Sequence, residues 1–204
     1  MSDPTVYVVD DEPAIRDSLA MLLRSVGLQA QTFQSATAFL EAYGPELSGC
    51  LVADVRMPGM SGLELQEALA ARESALPVII ITGHGDVAMA VRAMKAGAAD
   101  FIEKPFNEQV LLDAVHRALA SRKPGAPASA GRAEIEARVA ALTPREKEVL
   151  LLVADGRPNK VVATRLGLST RTVEVHRAKV MEKMQARSLA DLVRMAIACE
   201  LMKT

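Results

Sequence analysis

Thr5-Val6-Tyr7-Val8-Val9-Asp10-Asp11 is a short β-favouring run that stops abruptly at two acids. Three later runs end in the same way: Cys50–Ala53 before Asp54, Pro77–Ile81 before Thr82, and Phe101–Ile102 shortly before Lys104. Each is short and β-rich enough to be a buried strand. Helical patterns separate them, over Pro13–Val26, Ser35–Ala42, Gly62–Arg72, Asp86–Ala96 and Asn107–Ala120. Their apolar residues recur at spacings of three and four, as in Ile15, Leu19, Leu22, Leu23 and Val26. Pro13 suits the first helical position, where a missing N–H does no harm. Strand and helix in alternation predict an α/β fold, a doubly wound five-stranded parallel sheet. Parallel strands all finish on one edge, and open α/β sheets bind ligands there, where strand order reverses. Asp10, Asp11, Asp54, Thr82 and Lys104 therefore converge.

A chain of 204 residues has room for two small domains. Half of it is hydrophobic, with 3 % aromatics and no Trp, so the cores are aliphatic and filled with Met. Cys50 and Cys199 stand far apart in apolar contexts and match no metal spacing. Both read as buried thiols of a reducing compartment. The N-terminus lacks the features of a signal peptide, and no apolar run approaches membrane-spanning length. The expected location is cytoplasmic, with no membrane partner. The net charge of −1 hides an asymmetry: residues 1–122 carry −7 and residues 123–204 carry +6. An acidic half joined to a basic half assigns polyanion binding to the second.

The junction is the Pro-, Gly- and Ala-rich stretch Ser121–Gly131, which cannot hold a core and reads as a tether. Arg132–Ala141 is a short amphipathic helix extending it. Thr143-Pro144-Arg145-Glu146 then has the form of a helix cap with an acid at the third position. That helix runs to about Ala154, and Asp155-Gly156 stops it. A second covers Lys160–Leu166, a third follows a cap at Ser169 or Thr170 and runs to Met184, and Ser188 caps a fourth. The predicted domains are 1–121, a linker over 122–139, and an all-α four-helix domain over 140–204.

Acids near a helix start are often no more than partners of the helix dipole, which would explain Asp10 and Asp11 alone. Asp54 is not explained that way. Three carboxylates in one pocket repel one another, and a hard divalent ion such as Mg²⁺ relieves that, since it takes oxygen ligands and keeps waters. Asp54 is the expected nucleophile, because a carboxylate attacking phosphorus gives an acyl phosphate. Lys104 and the Thr82 hydroxyl would hold the remaining phosphoryl oxygens. A lone Lys is usually solvated, but Pro105 after Lys104 implies a constrained turn that aims the amine inward.

Val8-Val9-Asp10-Asp11-Glu12, Asp54-Val55-Arg56-Met57-Pro58-Gly59-Met60-Ser61-Gly62, Ile81-Thr82-Gly83-His84-Gly85 and Glu103-Lys104-Pro105-Phe106 resemble the flavodoxin-like receiver domain of two-component response regulators. The resemblance covers residues 4–121. It implies that Asp54 accepts a phosphoryl group from a cognate sensor histidine kinase. It also implies that Asp11, Asp54 and the Arg56 carbonyl bind Mg²⁺, with Asp10 acting through water. Gly83 is the small residue beside the phosphoryl group. Thr82 and Phe101 form the switch: the hydroxyl moves towards the phosphoryl oxygens and the ring turns inward. Many relatives have Tyr where this chain has Phe101.

In Thr170–Met184, Val173, Val180 and Met184 fall on one face, with Met181 at its margin. Glu174, Val175, Ala178 and Lys179 lie opposite, His176 and Arg177 between. Such a helix suits a major groove. Asn159, Lys160 and Arg171, at helix starts, are candidates for the phosphate backbone, His176 and Arg177 suit phosphates or packing better than bases, and Thr170 and Thr172 complete the DNA-binding set. Leu142–Leu150, Gly156–Lys160, Leu168-Ser169 and Thr172–Arg177 resemble the LuxR/NarL-type helix-turn-helix, over residues 140–202. The whole chain is similar to FixJ-type regulators, although Glu174 stands where several relatives have Lys. The resemblance implies a phosphorylation-activated transcription factor whose partners are double-stranded DNA and RNA polymerase. It also implies a homodimer formed on phosphorylation through Val87, Val91 and Lys95.

Three other readings are weaker. A haloacid dehalogenase-type phosphatase needs a second Asp two residues after the nucleophile, and here that residue is Arg56. Flavin or nucleotide binding would need a Gly- or Ser/Thr-rich loop after the first strand, and Asp-Asp-Glu-Pro is the opposite. A constitutive DNA binder would not need an intact acceptor pocket. No enzymatic turnover is expected.

Overall fold

The structure is a computed structural model, and it describes residues 4–44, 47–83, 86–120, 129–199 and 201. Most of the tether expected over Ser121–Gly131 lies outside the described residues, as do His84 and Gly85. Five strands, β1 (Thr5–Val9), β2 (Gln29–Phe33), β3 (Gly49–Asp54), β4 (Val78–Thr82) and β5 (Asp100–Glu103), pair in parallel in the order β2-β1-β3-β4-β5. Between them run α1 (Pro13–Ser25), α2 (Ala36–Ala42), α3 (Gly62–Ala71) and α4 (Val87–Lys95), and α5 (Glu108–Ala120) follows β5.

The register explains the apolar runs. β1 pairs with β3 through Val6↔Cys50 and Val8↔Val52, and Ile79 and Ile81 of β4 join the same layer. Leu23 of α1 and Leu111 and Val115 of α5 close over it, all fully buried. Leu51, Ala53 and Ile80 point to the opposite face, where Phe39 of α2 and Leu65 and Leu69 of α3 are also buried. Both faces being covered, the inner strands have no polar alternation. Each such Val, Leu or Ile contributes about 1.5–3 kcal/mol relative to exposure. β2, at the edge, reads Gln-Ala-Gln-Thr-Phe and has no fully buried residue.

Strand order reverses at β1, with β2 on one side and β3 on the other, which opens a crevice at the carboxyl edge between β1 and β3. Gly62 permits the return of the chain there: a Cβ at this position would lie 2.2 Å from the Asp54 carbonyl oxygen. Ser61 caps α3 in a reciprocal box with Glu64, so the helix starts directly beneath Asp54.

A second compact unit holds α6 (Ser129–Ala140), α7 (Pro144–Ala154), α8 (Asn159–Leu166), α9 (Thr170–Met184) and α10 (Leu189–Ala198), and α4 groups with it. Its core is Val149, Leu150, Val153, Val162, Val173, Val180, Met184 and Leu192. The Thr143 cap is a complete box with Glu146, and Ser169 and Ser188 cap α9 and α10. Gly167 ends α8 with a left-handed φ of 63°. Cys50 is buried, its thiol pushed up to about 12 by that burial. Cys199 differs from the expected buried thiol, being only partly covered near the end of the last helix. No helix among the described residues is long and apolar enough to cross a membrane.

Candidate functional site

Asp54 is the last residue of β3 and Thr82 the last of β4, one position further into the strands than the apolar runs suggest. Asp10 and Asp11 follow β1, and Lys104 follows β5. Lys104 Nζ donates to Asp54 Oδ1 at 2.7 Å and to Asp10 Oδ2 at 2.9 Å, joining residues 50 and 94 positions away. The backbone N–H of Arg56 donates to Asp54 Oδ2 at 2.6 Å, and that of Glu12 to Asp10 Oδ1 at 2.9 Å. Both carboxylates are thus buried, at 1 % and 6 % exposure, with every oxygen engaged. Burial works against the Lys104 ammonium, but the hydrogen bonds and charges of Asp54 and Asp10 outweigh it and raise its pKa above the ordinary lysine value. The Lys104–Pro105 peptide is cis, and the Lys104 N–H donates to the Thr82 carbonyl at 2.7 Å.

Among the described residues, no three His, Cys, Asp or Glu side chains stand together so as to hold a metal ion. The Lys104 ammonium bridges two of the acids. Asp11 is half-buried beside them. The carboxylates of Asp10 and Asp54 nonetheless bring hard oxygens to this edge, the chemistry Mg²⁺ takes.

Thr82 is fully buried, whereas Gly83 is exposed, with open space where a Cβ would stand. Phe101 is buried in β5, and its N–H donates to Asp100 Oδ1. Of the three residues expected at a pairing surface, Val91 is buried, Val87 is half-buried and packed on the helical core, and Lys95 is exposed.

In the second unit α9 turns Val173, Val180 and Met184 inward, as its periodicity predicts. Glu174, Val175, Ala178 and Lys179 are exposed, and so are Lys160, Thr170 and Arg171. Thr172 is half-buried, its hydroxyl 2.8 Å from that of Ser169. Arg177 is not a free cation: its guanidinium donates to Asn159 Oδ1 at 2.6 Å, tying α9 to the start of α8. Burial pulls its pKa down, and Glu174 opposes this. The Nδ1 of His176 is buried with no hydrogen-bond partner among the described residues. Two further residues were not singled out by sequence patterns. Arg16 of α1 donates to the carbonyls of both Asp10 and Asp11. Arg117 of α5 pairs with buried Asp100 at 2.7 Å.

A doubly wound sheet with a Lys-bridged Asp pair at its carboxyl edge, followed by a helical unit whose α9 is basic and amphipathic, defines a two-domain signalling regulator. Residues 6–116 match the family described as "Response regulator receiver domain", and residues 140–196 match "Bacterial regulatory proteins, luxR family". The chain belongs to the response regulators of two-component systems, with a LuxR-type DNA-binding domain as its output. It is 52 % identical over 200 residues to the transcriptional regulatory protein FixJ of Rhizobium meliloti, covering 97 % of each chain. It is 51 % identical to FixJ of Azorhizobium caulinodans, over 94 % of this chain and 91 % of that one. The crystal structure of full-length FixJ from B. japonicum superposes with a TM-score of 0.56, at 46 % identity and full coverage of both chains. The receiver implies a histidine kinase as partner, and the LuxR-type domain implies DNA.

Proposed function

We propose that this regulator is switched by transfer of a phosphoryl group from a histidine kinase to Asp54. The supporting observation is the meeting of Asp10, Asp54 and Lys104 at one strand edge, from positions remote in the chain. An Asp54 carboxylate oxygen attacks phosphorus, the P–N bond to the donor imidazole breaks, and its electrons leave with that ring. The product is an acyl phosphate. Lys104 exchanges its bond to Asp54 for one to a phosphoryl oxygen, and the Arg56 N–H keeps the second carboxylate oxygen oriented. Thr82 and Gly83 border the new group, with Phe101 as the switch aromatic and Pro105 shaping the turn that carries Lys104. Asp11, Asp54 and the Arg56 carbonyl would hold Mg²⁺, with Asp10 acting through water. Mg²⁺ supplies charge that screens the transferring phosphoryl oxygens.

The output follows by pairing of two receivers through Val87, Val91 and Lys95, which requires Val91 to leave its buried position. Two α9 helices then address a two-fold-related site in double-stranded DNA. Glu174, Val175, Ala178 and Lys179 face the bases, while Asn159, Lys160, Thr170, Arg171 and Thr172 approach phosphates. His176 and Arg177 lie between these sets. On this reading the domains are 1–121, a linker over 122–139, and 140–204. RNA polymerase is the downstream partner, the location is cytoplasmic, and phosphomonoester turnover plays no part.

The test is to treat the protein with acetyl phosphate and Mg²⁺, then follow dimerisation by sedimentation and operator selection from random DNA. Phosphodonor-dependent dimerisation and enrichment of a two-fold-related sequence, both lost in Asp54→Asn, are expected. An Asp54→Asn protein that responds equally would overturn the proposal.

A further inference from the structure

We propose that Arg16 is a positioning residue for the acid pair: its guanidinium fixes the backbone from which Asp10 and Asp11 present their carboxylates to Mg²⁺. The inference rests on the reading of this edge as a Mg²⁺-dependent phosphoacceptor site. Val9 makes the last register pair of β1, with Phe33 on one side and Ala53 on the other. Beyond it the chain turns from sheet to helix within three residues, and Asp10 is 1 % exposed. Buried backbone groups at such a point need partners. The Asp10 N–H reaches the Phe33 carbonyl at 3.3 Å. Both remaining carbonyls are taken by one side chain, since Arg16 Nη1 donates to Asp10 O at 2.7 Å and to Asp11 O at 2.9 Å.

Arg16 is itself anchored. Its N–H donates to the Glu12 carbonyl at 3.1 Å in the first turn of α1, and the Glu12 N–H donates to Asp10 Oδ1. Strand end, turn and helix start therefore form one closed set of hydrogen bonds around the two acids. A rotation at the Asp10 peptide would swing its carboxylate away from Lys104, and the same clamp holds the Asp11 peptide. Groups that orient metal ligands in this way typically govern affinity by about 10–100-fold.

Charge and geometry give opposite signs here. A guanidinium beside a Mg²⁺ site repels the ion, so if Arg16 acted by charge alone, removing it would tighten binding. If it acts as a clamp, removing it weakens binding although a repelling cation has gone.

The experiment measures Mn²⁺ binding to the full chain by electron paramagnetic resonance, with Mg²⁺ displacement, for wild type, Arg16→Met and Arg16→Lys. With no Trp in the chain, fluorescence quenching is no substitute. Far-UV circular dichroism establishes that each variant is folded. Arg16→Met is expected to bind the ion about tenfold more weakly, and Arg16→Lys, which keeps a donor and the charge, to fall in between. Binding by Arg16→Met equal to or tighter than by wild type would overturn the clamp. Should Arg16→Met fail to fold, Arg16→Lys decides alone: weakened binding supports the proposal and unchanged binding overturns it. Wild-type protein that binds neither ion would instead sink the Mg²⁺ reading, an outcome distinct from either.

Discussion

At the scale of single residues, Lys104 does the most. Its ammonium lies between two buried carboxylates and offsets part of their mutual repulsion. Replacing it by Met leaves Asp10 and Asp54 facing each other without compensation. We expect Lys104→Met to lose about 2 kcal/mol without Mg²⁺, less than the roughly 3–5 kcal/mol of a fully buried pair because Lys104 keeps some exposure. Urea melts with and without Mg²⁺ check this, and the ion should restore much of the loss. Stability unaffected by the substitution would mean that the bridge is energetically idle. The raised Lys104 pKa has a definite sign as well. Its contribution is fully present below the ordinary lysine value and disappears as pH rises through the folded value. Melts of wild type and Lys104→Met should therefore converge at strongly alkaline pH.

At the scale of elements, Glu146 shows how a helix start is held. Its hydrogen bonds to Lys183 and to the Thr143 N–H lower its pKa from 4.5 to about 2. A depressed acid stabilises the fold above its unfolded value and loses that effect as pH falls through the folded one. The difference in melting temperature between wild type and Glu146→Gln should be full at pH 7 and shrink between about pH 4.5 and pH 2. Thr143→Ala, which removes the cap of the same helix, should cost about 1 kcal/mol. In α9, Arg171 and Lys179 are exposed, whereas Arg177 is bound to Asn159. Arg171→Ala should lower the slope of log affinity against log salt by about one, as expected of a residue that meets a phosphate. An unchanged slope would remove it from the backbone contacts.

The elements also show what was legible in the sequence. Buried central strands and capped helices were, since apolar runs and Thr143-Pro144-Arg145-Glu146 carry their own local signal. β2 was counted but not located, because an edge strand reading Gln-Ala-Gln-Thr-Phe is specified by its register with β1 and not by its own hydrophobicity. Asp10, Asp54 and Lys104 could be brought together from topology alone. Arg16 could not, because it binds backbone carbonyls, and those are the same whatever residues carry them. The Arg177–Asn159 bond was hidden for another reason: a cation on a basic helix looks available for DNA until its neighbour is seen.

At the scale of the whole molecule, the opposite charges of the two halves fit their separate tasks. The acidic N-terminal half carries the carboxylate edge, and the basic C-terminal half carries the exposed cations of α9. What joins the tasks, on the reading proposed here, is the covalent state of one carboxylate. The most direct measurement is to label the protein with acetyl phosphate and Mg²⁺, reduce the acyl phosphate with borohydride, and locate the resulting homoserine by mass spectrometry. The account predicts a single modified position, Asp54, with none in Asp54→Asn. Modification at Asp10 or Asp11, or undiminished labelling of Asp54→Asn, would contradict it.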